Sequence, residues 1–195
     1  MPAKKTPPPL YQLKVTLLDI KPPIWRRIHV PSTIKLCCLH DVLQEAMGWT
    51  HSHLHLFEKS RQLWGDPKWN EDQDQLDEGK AKLSDLLEVK GESLYYDYDF
   101  GDGWRHKVVL EKIIPVNEIV KTAFCLAGKR RCPPEDVGGP PGYADFLEAI
   151  FDPTHEDFER LITWFGGPFH AEEFNTMAVN DTLSQMKLPI RHESS

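Results

Sequence analysis

Two stretches of the chain carry residue types that can do acid–base or metal chemistry. The first is YYDYDFGDGWRH, from Tyr95 to His106, where Asp97, Asp99 and His106 are candidate catalytic groups: carboxylates and an imidazole are the usual general acids and bases near neutral pH. The second is HSHLH, where His51, His53 and His55 alternate. On a strand, alternate imidazoles leave one face about 7 Å apart, and H-x-H is a spacing that metal sites use. His53, His55, Asp99 and His106 are therefore the candidate metal ligands. Basic residues come as Trp25-Arg26-Arg27 and Lys129-Arg130-Arg131. An aromatic ring beside guanidinium groups can stack on bases while the charges meet phosphates. Trp25, Arg27, His53, Trp104, Arg130 and Arg131 are the residues expected to form a binding surface.

The chemistry of the first stretch depends on the register of the hairpin around Gly101-Asp102-Gly103. A three-residue loop with Gly103 in the left-handed conformation sets Phe100 opposite Trp104, Tyr98 opposite His106 and Tyr96 opposite Val108. Asp99 then faces Arg105 and Asp97 faces Lys107, so the aspartates form ordinary cross-strand ion pairs. A two-residue loop would instead put Asp99 opposite His106, an acid–imidazole pair. That slip mixes apolar and charged side chains on one face, so the hydrophobic pattern favours the first register.

The elements that position these residues can be read from periodicity. LYQLKVTLLDI alternates with period two, and IWRRIHV continues it after a Pro-containing turn, with Ile24, Ile28 and Val30 on one face and Trp25, Arg27 and His29 on the other. LCCLHDVLQEAM carries Leu36, Leu39, Val42, Leu43, Ala46 and Met47 on one helical stripe, with Gly48 placed to stop it. HLHLFEKS reads as a third strand, and 66–85 as a long acidic surface excursion with a short helical turn at KLSDLL. CLAGKRRCPPEDVGGPPGY reads as a stiff loop with little strand or helix propensity. Helices are expected at GYADFLEAIF, after Asp152-Pro153 as N-cap and first helical residue, and at AEEFNTMAVNDTLSQM.

The chain has 195 residues, a formal net charge of −7 and four cysteines. That length can bury its own core, and the acidity disfavours nucleic acid as a partner. Adjacent Cys37 and Cys38 do not suit a secreted disulfide framework. No apolar run approaches the roughly 18 residues of a membrane span. No phosphate loop, dinucleotide fingerprint, nucleophile elbow or H-E-x-x-H is present. A cytoplasmic protein without a membrane partner is expected.

LYQLKVTLLDIKPPIWRRIHVP, LHDVLQEAMGWTHSHLHLF, YDYDFGDGWRHKVVLE, CLAGKRRCPPEDVGGPPGY and DPTHEDFERLITWFGGPFHAEEFN, in order from Tyr11 to Asn175, resemble the plasmid pRiA4b ORF-3-like family. That family includes proteins described as TnpR passengers of insertion elements, and the resemblance implies a link to mobile elements without implying a reaction. Where many relatives have a cysteine after PPED this chain has Val137, which leaves Cys125 and Cys132 short of a thiolate cluster.

The expected fold is α+β: a β-grasp-like mixed sheet of four or five strands, built from two hairpins and a further strand, with one helix packed across it and a C-terminal helical subdomain. The expected division is a flexible arm at 1–9, the sheet domain at 10–115, the Pro/Gly loop and helical subdomain at 116–188, and a flexible tail at 189–195. The function expected is a non-catalytic interaction module with a protein partner and no cofactor. The alternative is a metal-dependent hydrolase or nuclease using an Asp/His site and a divalent metal.

Overall fold

A computed structural model describes residues 6–69, 74–186 and 188. Residues 1–5 of the expected arm and the expected tail at 189–195 lie outside the described residues. Tyr11, Leu13, Val15 and Leu17 of β1 (Leu10–Leu17) are buried, as the period-two pattern requires. β1 pairs antiparallel with β2 (Trp25–Pro31), and α1 (Leu36–Met47) follows. Leu39, Val42, Leu43, Ala46 and Met47 are all buried, and Gly48 ends the helix at φ +94°, donating its N–H to Gln44 O.

Next come β3 (His55–Lys59), β4 (Gln62–Gly65), β5 (Leu76–Asp77) and the one-turn α2 (Leu83–Leu86). The segment 66–85 is therefore more than a surface excursion. β5 pairs parallel with β4, and both Glu78 and Leu83 are buried. β6 (Ser93–Tyr98) and β7 (Trp104–Ile114) form the second hairpin. β8 (Phe124–Lys129), in a stretch expected to be loop, pairs with β2. The eight strands form one mixed sheet in the order β5-β4-β3-β6-β7-β1-β2-β8. The class is α+β, with more strands than the four or five expected, and the middle pair β1 and β7 runs antiparallel.

The C-terminal part contains α3 (Gly139–Phe151), α4 (Phe158–Phe165) and α5 (Thr176–Gln185). α4 begins after Asp157 rather than after Asp152, because the Asp152 carboxylate accepts from Thr154 N and Oγ1 and closes a turn of its own. Phe146, Phe165 and Phe169 meet edge to face, with centroids 5.1 to 6.2 Å apart. α5 lies against β8 and α1. No helix among the described residues is long and apolar enough to cross a membrane.

Candidate metal centre

The second hairpin turns through five residues. Tyr98 pairs with Trp104, Asp97 with Arg105 and Tyr96 with His106. Both registers expected from the sequence are thus corrected, while the division of faces in the three-residue reading survives because a two-residue shift preserves the pleat. Tyr96, Tyr98, Trp104, His106 and Val108 are all buried. Phe100 projects from the loop, 54% exposed, instead of facing Trp104.

This register separates the candidate catalytic groups. Asp97 lies on the open face, 3.0 Å from Arg105, which also holds Glu58 at 2.6 Å. His106 is fully buried, its Nδ1 3.1 Å from Tyr96 O, and burial lowers its pKa to about 4. Asp99 faces neither Arg105 nor His106. It sits in the loop at φ +56°, where its Oδ1 accepts from Gly101 N and Asp102 N and its Oδ2 is left 3.6 Å from His53 Nε2.

Two further carboxylates, which the sequence did not single out, reach the same nitrogen. Asp136 Oδ1 is 3.1 Å and Glu135 Oε2 3.8 Å from His53 Nε2. They arrive because the PPED loop docks on the hairpin loop: Asp102 Oδ2 accepts from Gly138 N at 3.1 Å. A Cβ on Gly139 would lie 2.4 Å from Asp102 O, and Gly139 has φ +70°, so this approach needs glycine. Asp136, like Asp99, holds a left-handed backbone, at φ +57°.

Glu135 Oε1 accepts from Thr50 N, Thr50 Oγ1 and Tyr98 OH, which orients the second oxygen toward His53. Asp99 therefore has one oxygen fixed by donors and one facing the imidazole, whereas Tyr98 OH lies 3.1 and 3.3 Å from the two Glu135 oxygens and so also reaches the one turned toward His53. The His53 Nε2 atom is buried and lacks a hydrogen-bond partner. His53, Asp99 and Asp136 each present a ligand atom within 4.8 Å of the others. The Asp136 side chain is 71% exposed, so the site opens to solvent.

His55 does not join this group. It stacks on His40 with ring centroids 3.5 Å apart and lies 2.9 Å from Glu78 Oε2. His40, Asp41 and His51 form a second cluster of ligand types, but its hydrogen bonds close internally. Gln44 Oε1 accepts from His51 N, which leaves Gln44 Nε2 to donate to Tyr96 OH. The phenol then donates to His40 Nδ1 at 2.7 Å, which places the His40 proton on Nε2, 3.3 Å from His51 Nδ1. Burial, reinforced by His55 and His51, holds the His40 pKa at about 2.

The expected binding surface does not assemble. Trp25 and Arg27 lie on the open sheet face, where Arg27 is bidentate to Glu111 at 2.6 and 2.9 Å. Trp104 is fully buried. Arg130 is buried and spent on Glu172 and Pro22 O, at 2.7 Å each. Arg131 is exposed and lies over the rings of Phe165 and Phe169. Cys125 and Cys132 are buried free thiols.

The family model described as plasmid pRiA4b ORF-3-like protein matches residues 9–178. The chain is 40% identical over 172 residues to the uncharacterized protein y4hQ of Sinorhizobium fredii, covering 87% of this chain and 85% of that one. It is also similar to a crystal structure of a protein of unknown function, MM3350, from Methanosarcina mazei. There the TM-score is 0.78 and the identity 42%, over 88% of this chain and 98% of the other.

Proposed function

The chain belongs to the plasmid pRiA4b ORF-3-like family, and from its geometry we propose a divalent-metal-dependent hydrolase with its centre at His53, Asp99 and Asp136. One observation carries this reading: a buried imidazole nitrogen with no hydrogen-bond partner is faced by three carboxylate oxygens from two other loops. A divalent cation there would take one nitrogen and two oxygen ligands, a donor set that suits Mn²⁺, Zn²⁺ or Fe²⁺. Structural zinc sites close with four protein ligands, whereas three leave room for water, whose pKa the metal lowers. Glu135, whose Oε2 is outside the triad, 3.8 Å from His53 Nε2 and 3.3 Å from Tyr98 OH, would be the carboxylate available as a base beside such a centre. The reducing cytoplasm is the compartment that four free cysteines support.

Calorimetric titration with Mn²⁺ and Zn²⁺ tests the centre. His53→Gln and Asp136→Asn should each weaken binding about tenfold or more, while Asp97→Asn should leave it unchanged. Wild-type protein that binds neither ion would end the proposal.

The second reading, a non-catalytic interaction module, is favoured by a different observation. Leu54, Trp69 and Phe100 are 43%, 65% and 54% exposed on the rim of a cleft of about 190 Å³ lined by His40, His51, His53 and His55. Exposed aromatics of this kind suit a protein partner. The link to mobile elements belongs to this reading and rests on family resemblance alone.

A further inference from the structure

Arg27, Arg105, Arg130 and Arg160 each have a carboxylate within 3.0 Å. Among the described residues Arg26, Arg61 and Arg131 have none, although the chain carries an excess of acid, and of these Arg61 is an exposed turn residue that lines neither cleft beside Arg131. Arg26 is 1% exposed, on the core face of β2. Its Nε donates to Ala46 O near the C-terminus of α1, and its Nη1 to Trp25 O and Lys129 O. Those carbonyl dipoles solvate the charge without neutralising it. Its Nη2 reaches the soft acceptor Cys132 Sγ, at 3.5 Å, and the guanidinium lies over the Phe174 ring, 3.9 Å from its centroid. Arg131 lies 5.0 and 5.2 Å from the ring centroids of Phe165 and Phe169, which hold its plane and leave its N–H edges without an ion pair.

The two arginines line one cleft of about 260 Å³, on which Glu173 is the carboxylate and is exposed. That cleft shares Met47, Gly48, Arg131 and Cys132 with a second of about 520 Å³, which runs past Trp49, Trp164 and Phe169 to Glu135 and Asp136. The trench thus has uncompensated positive charge at one end, aromatic walls between, and the acidic metal centre at the other. Its size is that of small-molecule sites.

We propose that this trench binds a small substrate with an oxyanion, carboxylate or phosphate, on Arg131 in the field of the buried Arg26 charge, an aromatic or apolar body against Trp49 and Phe169, and its reacting end at Asp136. The proposal rests on the metal-centre reading for the position of the reacting end. The oxyanion end stands on the arginines alone. The acidic centre repels an anion in the metal-free protein and attracts one once a divalent cation is bound, so anion and metal should bind cooperatively.

Phenyl phosphate, benzoate and phenyltrimethylammonium titrated against intrinsic tryptophan fluorescence, with and without Mn²⁺, test this. At least one anion should bind, the cation should not, and the choice between anions identifies phosphate or carboxylate. Arg131→Met, at an exposed position, should weaken the anion about tenfold or more with thermal unfolding and Mn²⁺ affinity unchanged. His53→Gln should abolish the Mn²⁺ enhancement while leaving metal-free anion binding intact, so failure of the centre shows up separately from failure of the trench. The proposal is overturned if neither anion binds, if Arg131→Met binds them as wild type does, or if phenyltrimethylammonium binds equally well.

Discussion

Asp97 and Asp99 stand two positions apart, yet the hairpin loop begins between them and gives them unrelated surroundings. Asp97 is one of two carboxylates on Arg105, so Asp97→Asn leaves the guanidinium paired with Glu58 and should change stability by no more than about 1 kcal/mol in urea unfolding. Asp99→Asn keeps an oxygen to accept from Gly101 N, so the fold should persist while Mn²⁺ affinity falls. Asp99→Ala removes that acceptor as well and should cost about 1–3 kcal/mol. Equal stability of the Asn and Ala variants would show that the loop does not depend on this carboxylate. The residue types of the centre are legible in the sequence, where His53 and Asp99 both stand among the candidate ligands. Glu135 and Asp136 are not legible there, because their approach depends on Gly139 meeting the Asp102 carbonyl, a contact that no local periodicity encodes. The signal available was an acidic pair held between two prolines and two glycines.

At the scale of elements, the stripe of α1 translates directly into packing: Leu43 is fully buried. Leu43→Ala should cost about 2–5 kcal/mol, and a loss well under 1 kcal/mol in chemical denaturation would contradict the packing described. β8 was illegible for a physical reason. It is an edge strand beside a Pro/Gly-rich loop, with Phe124 and Leu126 exposed, so it lacks the alternation that burial of one face imposes. Its outer edge is covered at one point: Asn180 of α5 accepts from Cys125 N at 2.7 Å and donates to Cys125 O at 2.9 Å. A side-chain amide occupying both groups of an edge residue prevents another strand from pairing there. Asn180→Ala should therefore raise self-association, read as concentration-dependent mass in light scattering. A variant that stays as monodisperse as wild type would show that the edge is protected by other means.

At the scale of the whole molecule, two imidazoles held neutral inside the protein make stability depend on pH. His106 has a pKa of about 4 through burial, and His40 of about 2 through burial and then its histidine neighbours. The unfolded value is about 6.5 for both. As pH falls below 6.5 the unfolded chain takes up protons that the folded state refuses, so stability is present in full above that value. It is lost on descent toward pH 4 for His106 and further toward pH 2 for His40. Between pH 8 and pH 5 each should contribute a loss of about 2 kcal/mol, with a limiting slope near 1.4 kcal/mol per pH unit per group. His29, whose pKa is lowered by burial and then by Lys112, acts in the same sense, while carboxylates stay out of most of this window. Glu111, held at about 2 chiefly by its hydrogen bond from Arg27, adds its loss only below about pH 5. Burial raises the pKa of Asp41 and of Asp97, which acts in the opposite sense as those groups protonate in the folded state. Unfolding free energies from urea titrations between pH 8 and pH 5 should thus fall with a slope to which His106 and His40 together contribute up to about 2.7 kcal/mol per unit. His106→Gln lowers the starting stability, but the slope is what is read, and it should drop by up to about 1.4 kcal/mol per unit. A slope unchanged in that variant would mean that the buried imidazole is not what couples this fold to pH.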